Sequence, residues 1–427
     1  MEWARLIAGL ARYTGDVGLA EELAQDAVLA ALEQWPGSGV PRNAGAWLMT
    51  VAKRRAVDLF RRSKELHRKY AQIARSLEAG GDRVTPDFDR AFSEDIDDDL
   101  LRLIFTACHP VLSVQARVAL TLRLLGGLTT AEIARAYLLP EPTIAQRIVR
   151  AKKSLSAAGV PFEVPGPADR PARLSSVLEV IYLIFNEGYS ATAGSDWTRP
   201  ALCHDALRLG RVLSGLMPAE PEVHGLTALM EFQASRIPAR TGPAGQLILL
   251  ADQDRRRWDR LLIRRGVAAL ARASGLGGGR GPYALQAQIA ACHAVTFRQE
   301  ETDWERITGL YAILAEVMPS PVIELNRAVA MSMAYGPQAG LDLVDALAAE
   351  PALASYHLLP SVRGDLLMKL GRPREARAEF ERAAALAGND PERELSARRA
   401  RAAAAQAEAG PPAASAAAGK PARNFPA

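Results

Sequence analysis

The sequence predicts an all-α protein: two small helical domains followed by a larger helical one. Three observations carry this. Nearly every segment between Pro and Gly breaks repeats its apolar residues with a helical period. Ala, Leu and Arg, all good helix formers, dominate those segments. Alternating strand patterns are scarce, and "GQLILLA" (Gly245–Ala251) is the only tempting one. The 427 residues are too many for one core, and about 150 residues per domain predicts two or three domains.

Residues 1–70 form the first block. Asp16–Trp35 reads as an amphipathic helix with acidic Glu21, Glu22 and Asp26. Pro36–Gly45 is a loop rich in turn formers and includes Asn43. Ala46–Arg62 follows, apolar on one side and basic on the other through Lys53, Arg54, Arg55, Arg61 and Arg62, with Trp47 beside them. Such a face suits a phosphate backbone. It is also what an ordinary solvated helix face looks like. Residues 71–99, ending in "DFDRAFSEDIDDD", read as an acidic linker.

Residues 100–160 hold the most informative stretch, "TTAEIARAYLLPEPTIAQRIVRAKKSL" (Thr129–Leu155). Ile133, Ala134, Tyr137 and Leu138 share one helix face. After a Pro-containing break, Ile144, Ile148, Ala151 and Leu155 form a second apolar stripe. Thr143, Gln146, Arg147, Arg150 and Lys153 are its polar and basic residues. Pro142 fits a first helical turn, where its missing N–H costs little. Two short helices, a tight turn and a polar-basic outer face match a helix-turn-helix, and also a plain helical hairpin with a solvated basic side. Gln and Arg can each make two hydrogen bonds to a base edge.

Residues 161–171 are a Pro-rich connector, and 172–395 read as a long helical domain. Within it, Gly364, Leu367, Gly371, Ala376, Phe380 and Ala383 fall at the small and large packing positions of a tetratricopeptide repeat. Pro321–Pro351 has a similar helix, Gly-Pro turn and helix about 35 residues earlier. A helical hairpin cannot bury its apolar face alone, so hairpins stack. Residues 396–427 are low in complexity, and disorder is expected there.

The net charge is only +4, so the distribution of charge matters more than its sum. No apolar run approaches the ~18 residues of a membrane span. Arg5 and Arg12 interrupt the first apolar stretch, unlike a signal peptide, and a cytoplasmic location is expected. Cys108, Cys203 and Cys292 are each followed by histidine. Helical neighbours point about 100° apart, so buried cysteine is the expected reading and no metal is. Asp252, Asp254, Asp259 and Glu187 are the carboxylates that invite a catalytic reading. No nucleophile, metal or phosphate motif accompanies them, so caps and ion pairs are expected, with no enzyme and no cofactor.

In this order the motifs resemble one family. "AEELAQDAVLAAL", "AWLMTVAKRRAVDLFRR" and "LTLRLLGGLTTAEIARAYLLPEPTIAQRIVRAKKSL" look like regions 2 and 4 of an extracytoplasmic-function (ECF) sigma factor. Leu138 stands where the family often has Gly, and Arg54 where it often has Asn. "LRLIFTACHPVLS" and the long C-terminal half resemble a branch with a tetratricopeptide-like extension. The resemblance implies core RNA polymerase and promoter DNA as partners. Glu21, Glu22 and Asp26 would meet core polymerase. Asn43, Lys53, Arg54, Arg55, Arg61 and Arg62 would hold the −10 element. Thr143, Gln146, Arg147, Arg150 and Lys153 would read the −35 element. The C-terminal domain would control activity in cis or take a protein partner. A helix-turn-helix regulator with a ligand- or protein-sensing helical domain is the other reading.

Overall fold

The structure is a computed structural model, and it describes residues 2–62, 88–137, 139–190, 198–243 and 246–409. Among the described residues all regular structure is helical. Where a strand was tempting, one antiparallel bridge joins Thr241 and Leu247. The chain divides into two compact units.

The first unit comprises residues 1–191, 198–234 and 264–279. It opens with α1 (Glu2–Thr14), α2 (Val17–Ser38) and α3 (Ala44–Arg62). Asp16 caps α2, its side chain accepting from Leu19 N at 2.9 Å. Helix α2 buries Ala20, Ala24, Ala27, Ala30 and Ala31. These small side chains let α1 and α3 pack closely against it.

Helix α4 (Phe88–Ala107) runs across the linker boundary expected at residues 99 and 100. Of the acids read as linker, those from Asp89 to Asp99 lie within this helix. Its second half buries Leu100, Leu103, Ile104 and Phe105.

Ser113 caps α5 (Val114–Thr121), which continues into a π-turn over Leu122–Gly126. Gly127 ends the turn at φ 75°, a left-handed conformation that only glycine adopts without cost. Then come α6 (Thr130–Tyr137) and α7 (Glu141–Ala157), with Leu138 outside the described residues. Thr129 and Glu132 form a reciprocal cap at the start of α6.

Helices α8 (Arg170–Tyr189), α9 (Pro200–Leu216), α10 (Pro221–Ser235) and α11 (Arg260–Gly275) follow. The stretch 172–395, expected as one domain, is therefore divided, because much of α8 to α11 joins the first unit. The cause is visible on α8. Arg117 of α5 bonds to Ser176 and, at 3.0 Å, to Glu179. Ser176 donates to Cys108 O at 2.7 Å, and Arg173 to Phe105 O at 2.9 Å. Leu174, Val177, Leu178, Ile181 and Phe185 are buried along the same helix.

The second unit holds residues 235–263 and 280–409 of the described chain. Its helices are α12 (Pro282–Ala294), α13 (Trp304–Val317), α14 (Pro321–Tyr335), α15 (Pro337–Leu347), α16 (Leu358–Lys369), α17 (Pro373–Leu386) and α18 (Asp390–Ala409). Consecutive helices pack as hairpins. Leu325, Leu341, Val344, Leu366, Leu367, Ala376 and Phe380 share one core. Gly364 lies under the Phe380 ring, where a Cβ would come within 2.7 Å of a ring carbon. Gly371, by contrast, is exposed and ends α16 at φ 72°. Helix α18 reaches Ala409, past the start of the tail expected at 396, because Ala400 and Ala403 are buried in that core. Residues 410–427 lie outside the described residues.

Candidate nucleic-acid interface

Helix α7 buries the four residues that its periodicity singles out, Ile144, Ile148, Ala151 and Leu155. Pro142 lies in its first turn. Thr143, Gln146, Arg150 and Lys153 are exposed, and Arg147 is half-buried. Gln146, Arg147, Arg150 and Lys153 have no ion pair or side-chain hydrogen bond among the described residues. An outward row of uncommitted donors on a rigid helix is what base and phosphate contacts require.

On α3, Lys53 and Arg54 are exposed and line a shallow cleft with Thr50, Val57 and Asp58. The Lys53 ammonium lies 5.7 Å from the centre of the Tyr13 ring, a cation–π distance. Arg55 pairs with Asp26 of α2 at 3.3 Å. Two residues expected to meet different partners thus meet each other. The pair is half-exposed, so it is worth at most about 1 kcal/mol and opens easily. Asn43 is exposed and its side-chain oxygen accepts from Ala46 N at 2.9 Å, capping α3. Arg61 and Arg62 end α3, and their side chains lie outside the described residues.

The acidic residues of α2 part company. Glu22 is exposed and Asp26 half-exposed, but Glu21 is only 1% exposed. Its carboxylate accepts from Arg123 Nε at 2.6 Å and Gln25 Nε2 at 2.7 Å, and it pairs with Lys152 of α7. Burial alone would raise the Glu21 carboxyl; the charges and hydrogen bonds of Lys152 and Arg123 outweigh it and hold it below its ordinary value. Trp3 Nε1 donates to Arg123 O at 3.2 Å. Asp99 of α4, also buried, pairs with Arg12 of α1 at 3.3 Å and with Arg102 at 2.7 Å. The first helical block and the helix-turn-helix are therefore packed on one another.

Glu21 was the least suited of the three acids to an external contact. It follows Val17 by four and precedes Ala24 by three, which sets it on the apolar face of α2. Sequence reasoning missed Leu29 and Leu32, which are 57% and 66% exposed on α2. They continue the stripe of Glu22 and Asp26 at helical spacing.

Cys108, Cys203 and Cys292 are all buried and none forms a disulfide, and burial pushes the Cys108 thiol up to about 11. No cluster of metal-ligating side chains occurs among the described residues. Glu187 is buried and pairs with Arg199. Asp254 pairs with Arg256, and Asp259 accepts from backbone N–H groups at the start of α11.

The model for sigma-70 region 2 matches residues 1–65, and that for sigma-70 region 4 matches residues 102–155. A family of unknown function (DUF6596) matches residues 173–274. A Rhizobium meliloti protein described as uncharacterized is 44% identical over 384 residues, 90% of this chain and 89% of its own length. The chain belongs to the family of that protein. Its sigma-70 regions 2 and 4 indicate RNA polymerase sigma factor function. The ECF RNA polymerase sigma factor SigC of Mycobacterium tuberculosis is 29% identical over 154 residues, 36% of this chain and 77% of its own length. The probable RNA polymerase sigma-C factor of Mycobacterium bovis matches to the same extent. No solved structure matches. The sigma regions are those of a non-enzymatic family. No helix among the described residues is long and apolar enough to cross a membrane.

Proposed function

We propose that this sigma factor directs core RNA polymerase to promoters in the cytoplasm, with α7 reading the −35 element and α3 with its preceding loop engaging the −10 element. The outer face of α7, with its uncommitted Gln146, Arg147, Arg150 and Lys153, carries this reading. An Arg147→Ala or Gln146→Ala change is expected to cost about 1–3 kcal/mol at particular upstream bases. Lys153→Ala should weaken binding evenly across sequences and flatten the salt slope by about one unit. Binding titrations on promoter variants at several salt concentrations distinguish the two. Unchanged binding and base preference in all three variants would remove α7 from the recognition model.

Contact with core polymerase is assigned to the stripe of Glu22, Asp26, Leu29 and Leu32 on α2, and no longer to Glu21. Exposed leucines beside acids suit a partner with an apolar patch rimmed by basic groups. Glu22→Lys combined with Leu32→Asp should weaken co-purification with core polymerase at least tenfold. Helix content should hold, because both positions face solvent. Undiminished assembly would refute the assignment.

Two promoter elements about 25 base pairs apart lie about 85 Å apart along B-DNA. A compact unit of about 240 residues is only about 45 Å across. The two regions must therefore separate to engage both elements at once. The Glu21 cluster is then a latch, closed in the free protein. The second unit, whose buried Gly364, Leu367, Ala376, Phe380 and Ala383 suit a tetratricopeptide-like stack, would control this opening in cis.

A further inference from the structure

We propose that the first unit carries a binding site for a phosphorylated, hydroxyl-bearing small molecule between α9, α10 and α11. This goes beyond the promoter reading and does not depend on it. The three helices line an open cleft of about 490 Å³, within the range of small-molecule sites, with Arg211, Arg265 and Arg272 exposed along it. Each helix contributes residues at one-face spacing. These are Arg211, Ser214 and Gly215 from α9; His224, Thr227 and Glu231 from α10; and Arg265, Ala268, Ala269 and Arg272 from α11. The small side chains in the middle of each wall leave the room.

The charge is specific. Helix α11 contains no acid, and Arg265 and Arg272 have no ion pair among the described residues. Elsewhere in the chain, exposed arginines such as Arg372 and Arg377 pair with a neighbouring glutamate. Glu231 is only 2% exposed and takes two N–H groups of Arg211, at 2.8 and 3.0 Å. That fixes the guanidinium and leaves its other N–H groups for a ligand. Three arginines against one glutamate give the cavity a net charge of +2, which matches a phosphate monoester dianion better than a single carboxylate. Arg265 and Arg272 lie seven residues apart, about 10 Å along the helix, so a ligand longer than a bare phosphate is needed to reach both.

The hydroxyls specify the rest. Ser214 donates to Gly210 O at 2.9 Å, and Thr227 to Val223 O at 2.9 Å. Ser214 Oγ and Thr227 Oγ1 also lie 2.9 Å from one another, so their protons stay within this group of acceptors and the lone pairs left over can accept from ligand hydroxyls. His224 is buried and its Nε2 lies 2.9 Å from Pro218 O, to which it donates. A sugar phosphate has the complementary set of groups. The same α9 carries Arg208, whose Nη2 lies 3.4 Å from both Leu125 O and Gly126 O in the turn before the helix-turn-helix. Cavity wall and region 4 turn are therefore joined by one helix.

The test is calorimetric titration of the full chain at low salt with inorganic phosphate, glucose 6-phosphate, ribose 5-phosphate and glucose. At least one sugar phosphate should bind tenfold or more tightly than inorganic phosphate, and glucose should not bind. The double variant Arg265→Ala, Arg272→Ala should lose at least tenfold in affinity at an unchanged melting temperature. Arg264→Ala, exposed on the same helix but outside the cavity, should bind as the parent does. Failure of both sugar phosphates to bind, or equal weakening by Arg264→Ala, would overturn the proposal.

Discussion

Replacing Glu21 with lysine is expected to destabilise the first unit by about 3–5 kcal/mol, because it sets a buried cation against two others with no counter-charge. The site has no slack. Glu21 is almost fully buried, and Arg123 and Lys152 both converge on its carboxylate. The two partners come from the π-turn and from α7, so the loss falls on the contact between regions 2 and 4. Thermal unfolding measures it directly. Glu21→Gln is the milder control, since it keeps the shape and removes only the charge. Acid should act in the same direction. The Glu21 carboxyl is held below its ordinary value of 4.5, so its contribution is fully present above that value. It is lost as pH falls through the lowered value. The parent should therefore lose stability below about pH 4.5 more steeply than Glu21→Gln. Equal stability of Glu21→Lys and parent would mean that the cluster holds nothing together.

A chain ending at Pro165 should be less stable by at least about 3 kcal/mol, a fall in melting temperature of about 6–12 °C. It would lack α8, whose Leu174, Val177, Leu178 and Ile181 are buried in the first unit. It would also leave Arg117 without Ser176 and Glu179. A sigma factor needs only regions 2 and 4 to read a promoter, so the shortened chain should still bind core polymerase. It should transcribe poorly, because region 4 has lost the surface that supports it. Stronger transcription from the shortened chain, at equal soluble concentration, would instead make the C-terminal half an inhibitor. Equal output from both would remove it from control altogether.

The elements whose signal is local were legible in the sequence. The spacing of Ile144, Ile148, Ala151 and Leu155 gave both the helix and its buried side, and the uncommitted outer face followed. Gly364, Ala376 and Phe380 were readable for the same reason, since a hairpin is packed by residues close in sequence. Partners far apart in sequence were not legible. Periodicity marks Glu21 as buried, but nothing in α2 says that Arg123 and Lys152, over a hundred residues on, will meet it. Arg117 and the polar row of α8 are a similar case, and they moved a domain boundary that composition had set at the Pro-rich connector. An exposed leucine is also hard to foresee: Leu29 and Leu32 look like core residues until α1 and α3 are seen to cover the other side of α2.

The central claim is that this chain selects promoters through α7 and α3. In vitro transcription with purified core polymerase on genomic fragments, with start sites mapped, tests it most directly. The account predicts discrete start sites that share upstream and downstream elements, and a shift or loss of the upstream preference with Arg147→Ala or Gln146→Ala. Assembly with core polymerase without discrete start sites, or start sites unchanged in both variants, would contradict it.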